Sequence, residues 1–257
     1  MCNMEWDRLE MKSNQKEVLC IIPARSGSKG LKNKNIISLC NKPLIYYTIN
    51  PAINSQYVSK IHVSTNCLEI KKVAESLGAE VPFLRPSNLA SDTASIEATL
   101  SHHIKKLKDD YNYEPEIILY LQPTDIFRTV DQINECIKSL IEDENLDSCF
   151  VANPTHKKFW KLNVKTGSYE RVNTEQYDSR QTSKDIFLRE DTGVACATRP
   201  RILMKMKRIG KNCKIIENSD EYSSIDIHTE KSLYLAECVV EKEIKRKDSI
   251  YCFKNKE

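Results

Sequence analysis

The sequence has no uninterrupted apolar run approaching the roughly 18 residues that a bilayer-spanning helix needs, which excludes membrane insertion through such helices. Its first 16 residues lack the apolar centre of a secretory leader, so they are expected to form an extension ahead of the first strand, and a cytoplasmic location is expected. Ten cysteines are present, yet none forms a Cys-x-x-Cys pair, so zinc and dithiol chemistry lack their usual spacing. Buried free thiols in a reducing compartment are the expectation instead. An excess of charge of one sign is also missing: 39 Lys and Arg against 36 Asp and Glu leave a net +3, too little for the concentrated basic face of a nucleic-acid binder. Neither Gly-x-Gly-x-x-Gly nor a Walker loop occurs, and there is no Asp-x-Asp triplet. The dinucleotide fingerprint, P-loop phosphate binding and the metal triplet of many glycosyltransferases are thereby set aside.

What is present is a strand that runs straight into a loop of phosphate-seeking groups. The run VLCIIP at 18–23 reads as a short buried strand, and beyond it Arg25, Lys29, Lys32 and Lys34 are interleaved with Ser26, Gly27, Ser28 and Gly30. Small residues let backbone N–H groups approach phosphate oxygens, while the cations neutralise charge that amides cannot. Open α/β sheets bind their ligands at such carboxyl edges. A polyanion is the expected guest, and a solvated basic turn is the bland alternative.

Strand-like runs recur at 18–23, 60–64, 116–121, 148–152 and 194–198, and helices are expected at 43–53, 70–77, 93–108, 130–141 and 229–244. Asp92 and Thr229 stand where N-caps belong, and Gly78 where a C-terminal cap belongs. The alternation predicts an α/β fold, a mainly parallel sheet with helices on both faces. Between 153 and 191 it breaks into polar, charged and aromatic sequence too long for an idle loop, which predicts an inserted subdomain acting as a lid or an oligomerisation arm. The main domain would span 17–242, and the basic tail at 243–257 reads as a solvated helix end.

Several motifs fall in register with one family. PARSGSKGLKNKN at 23–35, NKPLIYYTI at 41–49, VST at 63–65, VPFLRPSNLASDTAS at 81–95, LQPT at 121–124 with Arg128 and Thr129, and SIDIH at 224–228 together resemble the acylneuraminate cytidylyltransferases over roughly residues 18–242. The resemblance implies a Rossmann-like nucleotidyltransferase sheet and a homodimer built through the insertion. It implies CTP and a nonulosonic acid as substrates, Mg²⁺ (or Mn²⁺) as cofactor, and neither nucleic acid nor membrane as partner. CMP would pass from CTP to the anomeric hydroxyl of the sugar with release of pyrophosphate, a displacement in which a protein mainly positions reactants and offsets charge.

The resemblance also implies residue roles. Ala24, Arg25, Ser28, Lys29, Gly30, Lys34 and Asn35 would cradle the triphosphate, with Arg25, Lys29, Lys34 and Asp226 the catalytic group. Arg85 would belong to the cytosine pocket. Asp92, Thr93 and Ser95 would add nucleotide contacts, the alternative being that they cap their own helix. Gln122, Lys161, Arg180, Gln181 and Arg189 would contact the sugar, a guanidinium at 180 suiting its carboxylate. Lys161 reads equally well as an ordinary surface lysine.

The chain departs from the family pattern in three places. Relatives commonly carry Asp-x-Asp before the last long helix, where this chain has Asp226, Ile227 and His228. Residues two apart on a strand share a face, so both would look into the site, Asp226 holding the metal and His228 touching a coordinated water or phosphate. A helix-capping His228 is the alternative. Asp125 stands within a QPTSPLR-like segment as an extra carboxylate for the metal or a sugar hydroxyl, and residues 189–196 lack the family's Asn-Gly-Ala-Ile-Tyr. The acid could therefore be sialic, legionaminic, pseudaminic or 3-deoxy-octulosonic, and a non-catalytic CTP-binding homologue is a different class of answer.

Overall fold

Alternate residues of the opening strand enter two different cores. Strand β1 (Val18–Pro23) sends Val18, Cys20 and Ile22 to one face and Leu19 and Ile21 to the other, as the two-residue period of a strand requires. A strand apolar on both faces belongs in the middle of a covered sheet. The computed structural model describes residues 16–172 and 187–253. After β1 come β2 (Ser38–Leu39), β3 (Lys42–Pro43), helix α1 (Tyr46–Ile53), β4 (Lys60–Ser64), α2 (Leu68–Ser76), α3 (Ile96–Tyr111) and β5 (Ile117–Tyr120). The chain continues through α4 (Val130–Glu142), β6 (Ser148–Thr155), β7 (Trp160–Leu162), β8 (Tyr169–Arg171), β9 (Phe187–Glu190), β10 (Cys196–Thr198), α5 (Pro200–Leu203), β11 (Cys213–Glu217) and α6 (Glu230–Lys245).

The main sheet runs β11-β6-β10-β5-β1-β4, with β9 alongside β6. β1 is parallel to β4 and β5, and β11 to β6, whereas β10 is antiparallel to both its neighbours. Helices α1, α2 and α4 cover one face through Ile49, Ile70, Ile133 and Ile137, and α3 and α5 cover the other through Leu100, Ile104 and Leu203. The expected α/β class with a mainly parallel sheet is what forms. Among the described residues, no helix is long and apolar enough to cross a membrane.

Two helix starts differ from expectation for local reasons. The helix expected from 93 begins at Ile96, because Ser95 rather than Asp92 is its cap, its hydroxyl accepting the Ala98 N–H at 3.1 Å. The helix expected from 43 begins at Tyr46, since Lys42 and Pro43 pair with Leu39 and Ser38 in a small hairpin. Thr229 caps α6 as expected, with Ser232 completing a reciprocal capping box.

The tail read as a solvated basic end is partly core. Tyr251 and Phe253 are 8% and 4% exposed and stack with ring centroids 4.8 Å apart. Phe127 and Tyr47 meet Phe253 edge-on, in a third cluster that seats α6 against the start of α1. Each such ring pair adds about 0.5–1.5 kcal/mol beyond area burial, enough to hold a chain end. In the expected insertion, β6 runs on to Thr155 to pair with β9, and β7 and β8 form a hairpin apart from the main sheet. That hairpin region exposes Trp160, Leu162, Val164, Tyr169 and Val172.

Candidate active site

The loop after β1 is ordered by its own hydrogen bonds. The Ala24 N–H extends the sheet ladder to the Ser64 carbonyl at 2.9 Å, and the Ser26 N–H donates to Asn66 Oδ1 at 2.9 Å. Asn66 Nδ2 returns a bond to Ser26 Oγ at 2.9 Å, while Asn35 Nδ2 donates to the Arg25 carbonyl at 2.8 Å. Gly27 turns the chain at φ +76°, a conformation open to glycine. Gly30 is needed for another reason: a Cβ there would lie 2.1 Å from the His228 carbonyl oxygen. The loop is thus pressed against the segment just before α6.

These elements, the 85–96 segment and the carboxyl end of β5 enclose a cleft of about 500 Å³. Arg25, Ser28, Lys29, Gly30, Lys34 and Asn35 lie in its wall, joined by Arg85, Asp92, Gln122 and His228, all expected from the sequence. Three expected nucleotide contacts do not reach it. Ala24 is fully buried under the loop, the Ser95 hydroxyl caps α3, and the Thr93 hydroxyl meets Ser91 Oγ at 3.2 Å. For Ser95 the helix-capping alternative is the one the structure contains.

Tyr120 and Ser91 line the cleft and Asn66 braces its loop through Ser26, and sequence reasoning missed all three. Tyr120 Oη donates to Gln122 Oε1 at 2.8 Å, and Gln122 Nε2 donates to Thr124 Oγ1 at 2.6 Å. The two-residue spacing of 120, 122 and 124 carried that signal; nothing local marked Asn66. Arg128 is completely buried, donating to the carbonyls of Gln122 at 2.6 Å, Gly193 at 2.9 Å and Val194 at 2.8 Å. It ties the end of β5 to the entry of β10, and burial lowers its pKa to about 10. Arg85 is likewise lowered to about 10 by burial, reinforced by Arg25. It donates to the Ser64 carbonyl and to the Leu89 carbonyl at 3.3 Å, while its buried Nε has no partner among the described residues.

The cations of the cleft are already engaged. Arg25 Nη2 stands 2.6 Å from Asp92 Oδ1, and Lys29 Nζ 2.8 Å from Asp92 Oδ2. Lys34 Nζ is 3.2 Å from His228 Nδ1, and His228 Nε2 is 2.7 Å from Asp226 Oδ2. Burial holds the Lys34 ammonium below the usual lysine range, opposed by the Asp226 charge. Residues 225–228 belong to no strand or helix; the Asp226 and His228 side chains meet, but of the two only His228 lines the cleft. The capping alternative for His228 fails, because Thr229 and Ser232 supply the cap and the His228 side chain is turned to Lys34 and Asp226.

Asp125 is outside the cleft wall, packed behind Gln122 against Gly193. Burial first and the Asp226 charge second push its carboxyl up to about 7, with Arg128 opposing. Arg189 also stays out of the wall, its Nε and Nη2 donating to Asp191 at 3.0 and 2.8 Å. Asn153 Nδ2 donates to the same Asp191 at 2.5 Å and to Ser223 Oγ at 2.7 Å. Lys161 sits exposed on the β7 hairpin and does not line the cleft. Arg180 and Gln181 lie outside the described residues. Among the described residues, no group of three or more His, Cys, Asp and Glu is arranged to hold a metal by protein ligands alone.

Comparison with known proteins fits this geometry. An N-acylneuraminate cytidylyltransferase of Escherichia coli O18:K1:H7 is 30% identical over 236 residues, which are 91% of this chain and 55% of that protein. The chain therefore spans about half the length of that relative. The post-translational flagellin modification protein B of Campylobacter coli is 28% identical over 90% of this chain and 99% of its own length. A pseudaminic acid cytidylyltransferase of Campylobacter jejuni (strain 81-176) is 47% identical over 90 residues, 35% of this chain and 39% of that one. In fold, a CMP:2-keto-3-deoxy-manno-octonic acid synthetase complexed with CTP superposes with a TM-score of 0.66 over 88% of this chain and 99% of that chain, at 14% identity. Residues 19–234 match the Cytidylyltransferase family, and the chain belongs to it.

Proposed function

We propose that this chain transfers CMP from CTP to the anomeric hydroxyl of a nonulosonic acid and releases pyrophosphate. The observation that carries the reading is the convergence of Arg25, Lys29 and Lys34 with Arg85 and Gln122 on one cleft at the carboxyl edge of the sheet. The relatives' names, which include neuraminate and pseudaminic acid cytidylyltransferases, support the same class of reaction. Arg25, Lys29 and Lys34 bind the triphosphate and offset the charge that grows on the departing pyrophosphate. Ser28 and the backbone around Gly30 supply short donors, and Asn35 keeps the Arg25 backbone in line. Arg85 belongs to the cytosine side, and Gln122, oriented by Tyr120 and Thr124, faces the acceptor sugar.

A divalent ion, Mg²⁺ or Mn²⁺, fits the donor set, since Asp226 offers a part-exposed carboxylate on the lysine side of the cleft and such ions often take one or two carboxylates besides phosphate and water. When bound, it would neutralise phosphate charge beside Asp226. His228, which bonds both Asp226 and Lys34, fixes the carboxylate's orientation. A homodimer through the β7–β8 hairpin is part of the same reading, supported by the exposed apolar side chains of Trp160, Leu162 and Tyr169. A cytoplasmic location accords with CTP as donor.

The test is pyrophosphate release from CTP with a panel of N-acylneuraminate, legionaminate, pseudaminate and 3-deoxy-octulosonate. Release with a nonulosonate is the expected result. Binding of CTP without turnover across the panel would favour a nucleotide-binding homologue. Unchanged CTP affinity and turnover after Lys29→Ala with Lys34→Ala would sink the assignment of the loop.

A further inference from the structure

Two of the cations that face the cleft are shared by a single carboxylate. Asp92 divides its oxygens, Oδ1 to the Arg25 guanidinium at 2.6 Å and Oδ2 to the Lys29 ammonium at 2.8 Å. Arg25 Nη1 also donates to the Ala90 carbonyl at 3.3 Å, so the guanidinium is tethered to the segment that carries Asp92. One anion bridging a guanidinium and an ammonium is the arrangement that a phosphate group would take with the same two side chains. The expectation that Asp92 contacts the nucleotide therefore has a sign problem. A carboxylate repels phosphate, and its observed partners are the groups that phosphate needs.

The energetics favour exchange over permanent pairing. The side chains of Arg25, Lys29 and Asp92 are 31%, 80% and 40% exposed, so both contacts are of the solvent-screened kind that contribute little. A polyphosphate brings more charge and more acceptor oxygens than one carboxylate, and it displaces Asp92 at little cost. The same carboxylate remains within reach when the anion leaves.

We propose that Asp92 is a positioning residue that holds Arg25 and Lys29 in the free protein, surrenders them to the polyphosphate of the nucleotide, and recaptures them as pyrophosphate departs. No bond is made or broken in this exchange; ion pairs change partner. The inference rests on the CTP reading above. It assigns Asp92 a cost in polyphosphate affinity and a gain in product release, with no effect on the base.

Calorimetric titration of CTP, cytidine and inorganic pyrophosphate into wild type, Asp92→Asn and Asp92→Glu tests it, together with stopped-flow pyrophosphate dissociation. Asp92→Asn is expected to bind CTP and pyrophosphate about three- to tenfold more tightly, the equivalent of losing two exposed competing pairs, with cytidine affinity unchanged. Pyrophosphate should leave that variant correspondingly more slowly, and Asp92→Glu should restore both values. Equal or weaker pyrophosphate binding by Asp92→Asn at an unchanged melting temperature would overturn the exchange, as would equal tightening of cytidine. Asp92→Ser provides a second neutral variant should the amide form new bonds. Wild type binding neither CTP nor pyrophosphate would remove the nucleotide reading and the exchange together, whereas wild-type binding with no change in either neutral variant removes the exchange alone.

Discussion

Asp125 and Gly193 are packed so closely that a methyl group on the glycine would fall 2.1 Å from Asp125 Oδ2. The carboxyl is thereby shut between the turn after β5 and the entry to β10, which Arg128 holds together from beneath. A charge enclosed this way is costly, and burial with the nearby Asp226 raises the Asp125 pKa to about 7 from its ordinary 3.8.

That shift predicts a pH signature. Between pH 4 and about 7 the unfolded chain has lost the Asp125 proton while the folded chain keeps it, so stability falls as pH rises through that window. Asp125→Asn should remove the fall and be more stable than wild type above pH 7 by about 2–4 kcal/mol, with little difference near pH 4. Urea denaturation at pH 4.5 and pH 8 without divalent ions measures this. Stability curves that stay parallel between the two proteins would refute the buried acid.

Gly30 predicts a local effect instead. An alanine there would drive its Cβ to 2.1 Å from the backbone oxygen of His228, so the phosphate-seeking loop and the 225–228 segment must separate. Overpacking of this kind costs about 1–3 kcal/mol. Because Lys34, His228 and Asp226 form one chain of contacts across that junction, Gly30→Ala should lower turnover at least about tenfold while the fold stays cooperative. Steady-state kinetics beside a thermal melt would check it, and near-normal turnover would mean that the junction does not need to close.

How much of this was legible in the sequence depends on whether a signal was local. The strands at 18–23 and 60–64 form with those bounds, because each is a short apolar run that propensity and period describe alike. The basic loop was legible because its cations lie within a dozen residues of one another. The α3 start was misread, since Asp92 and Ser95 are both good cap residues and only the fold shows that Asp92 is claimed by Arg25 and Lys29. Tyr251 and Phe253 were hidden by surrounding lysines, although their spacing puts both rings on one side. Asn66 was illegible as a site residue because its partner comes from another strand end, whereas Tyr120 was marked only by its two-residue spacing from Gln122. Arg189 and Lys161 were placed by pattern alone, and the structure turns the first to Asp191 and leaves the second on a hairpin outside the cleft.

The contact between Asp226 and His228 makes a prediction about metal. With His228 Nε2 2.7 Å from Asp226 Oδ2, the proposed metal site would have one carboxylate to hold the ion and an imidazole to orient that carboxylate. Asp226→Ala should reduce turnover by two orders of magnitude or more at any magnesium concentration. His228→Asp adds a second oxygen donor, which Mg²⁺ prefers to nitrogen, and should lower the Mg²⁺ concentration for half-maximal rate. Magnesium titration of the three proteins decides it; normal rates for Asp226→Ala at ordinary magnesium would remove Asp226 from the site.

The last prediction concerns acid, on the far side of β4. His62 Nδ1 and His103 Nε2 lie 3.1 Å apart with both rings buried, Phe83 packed 4.7 Å from the His103 ring, and Glu80 3.7 Å from His62 Nε2. Two nitrogens at that distance share one hydrogen, so the two rings cannot both be protonated while the contact holds. Burial lowers His62 to about 4, against the pull of Glu80, and holds His103 well below the ordinary imidazole range. In the unfolded chain both rings take up protons at about 6.5, so the unfolded state binds more protons below that value and stability is lost as pH falls from about 6.5 towards 4. His62 alone accounts for about 3 kcal/mol over that window. A His62→Gln/His103→Gln variant can exchange a hydrogen bond but cannot titrate. Its denaturation midpoint should fall less than that of wild type between pH 6.5 and 4.5, and equal losses in the two proteins would show that the pair is not the acid-sensitive element.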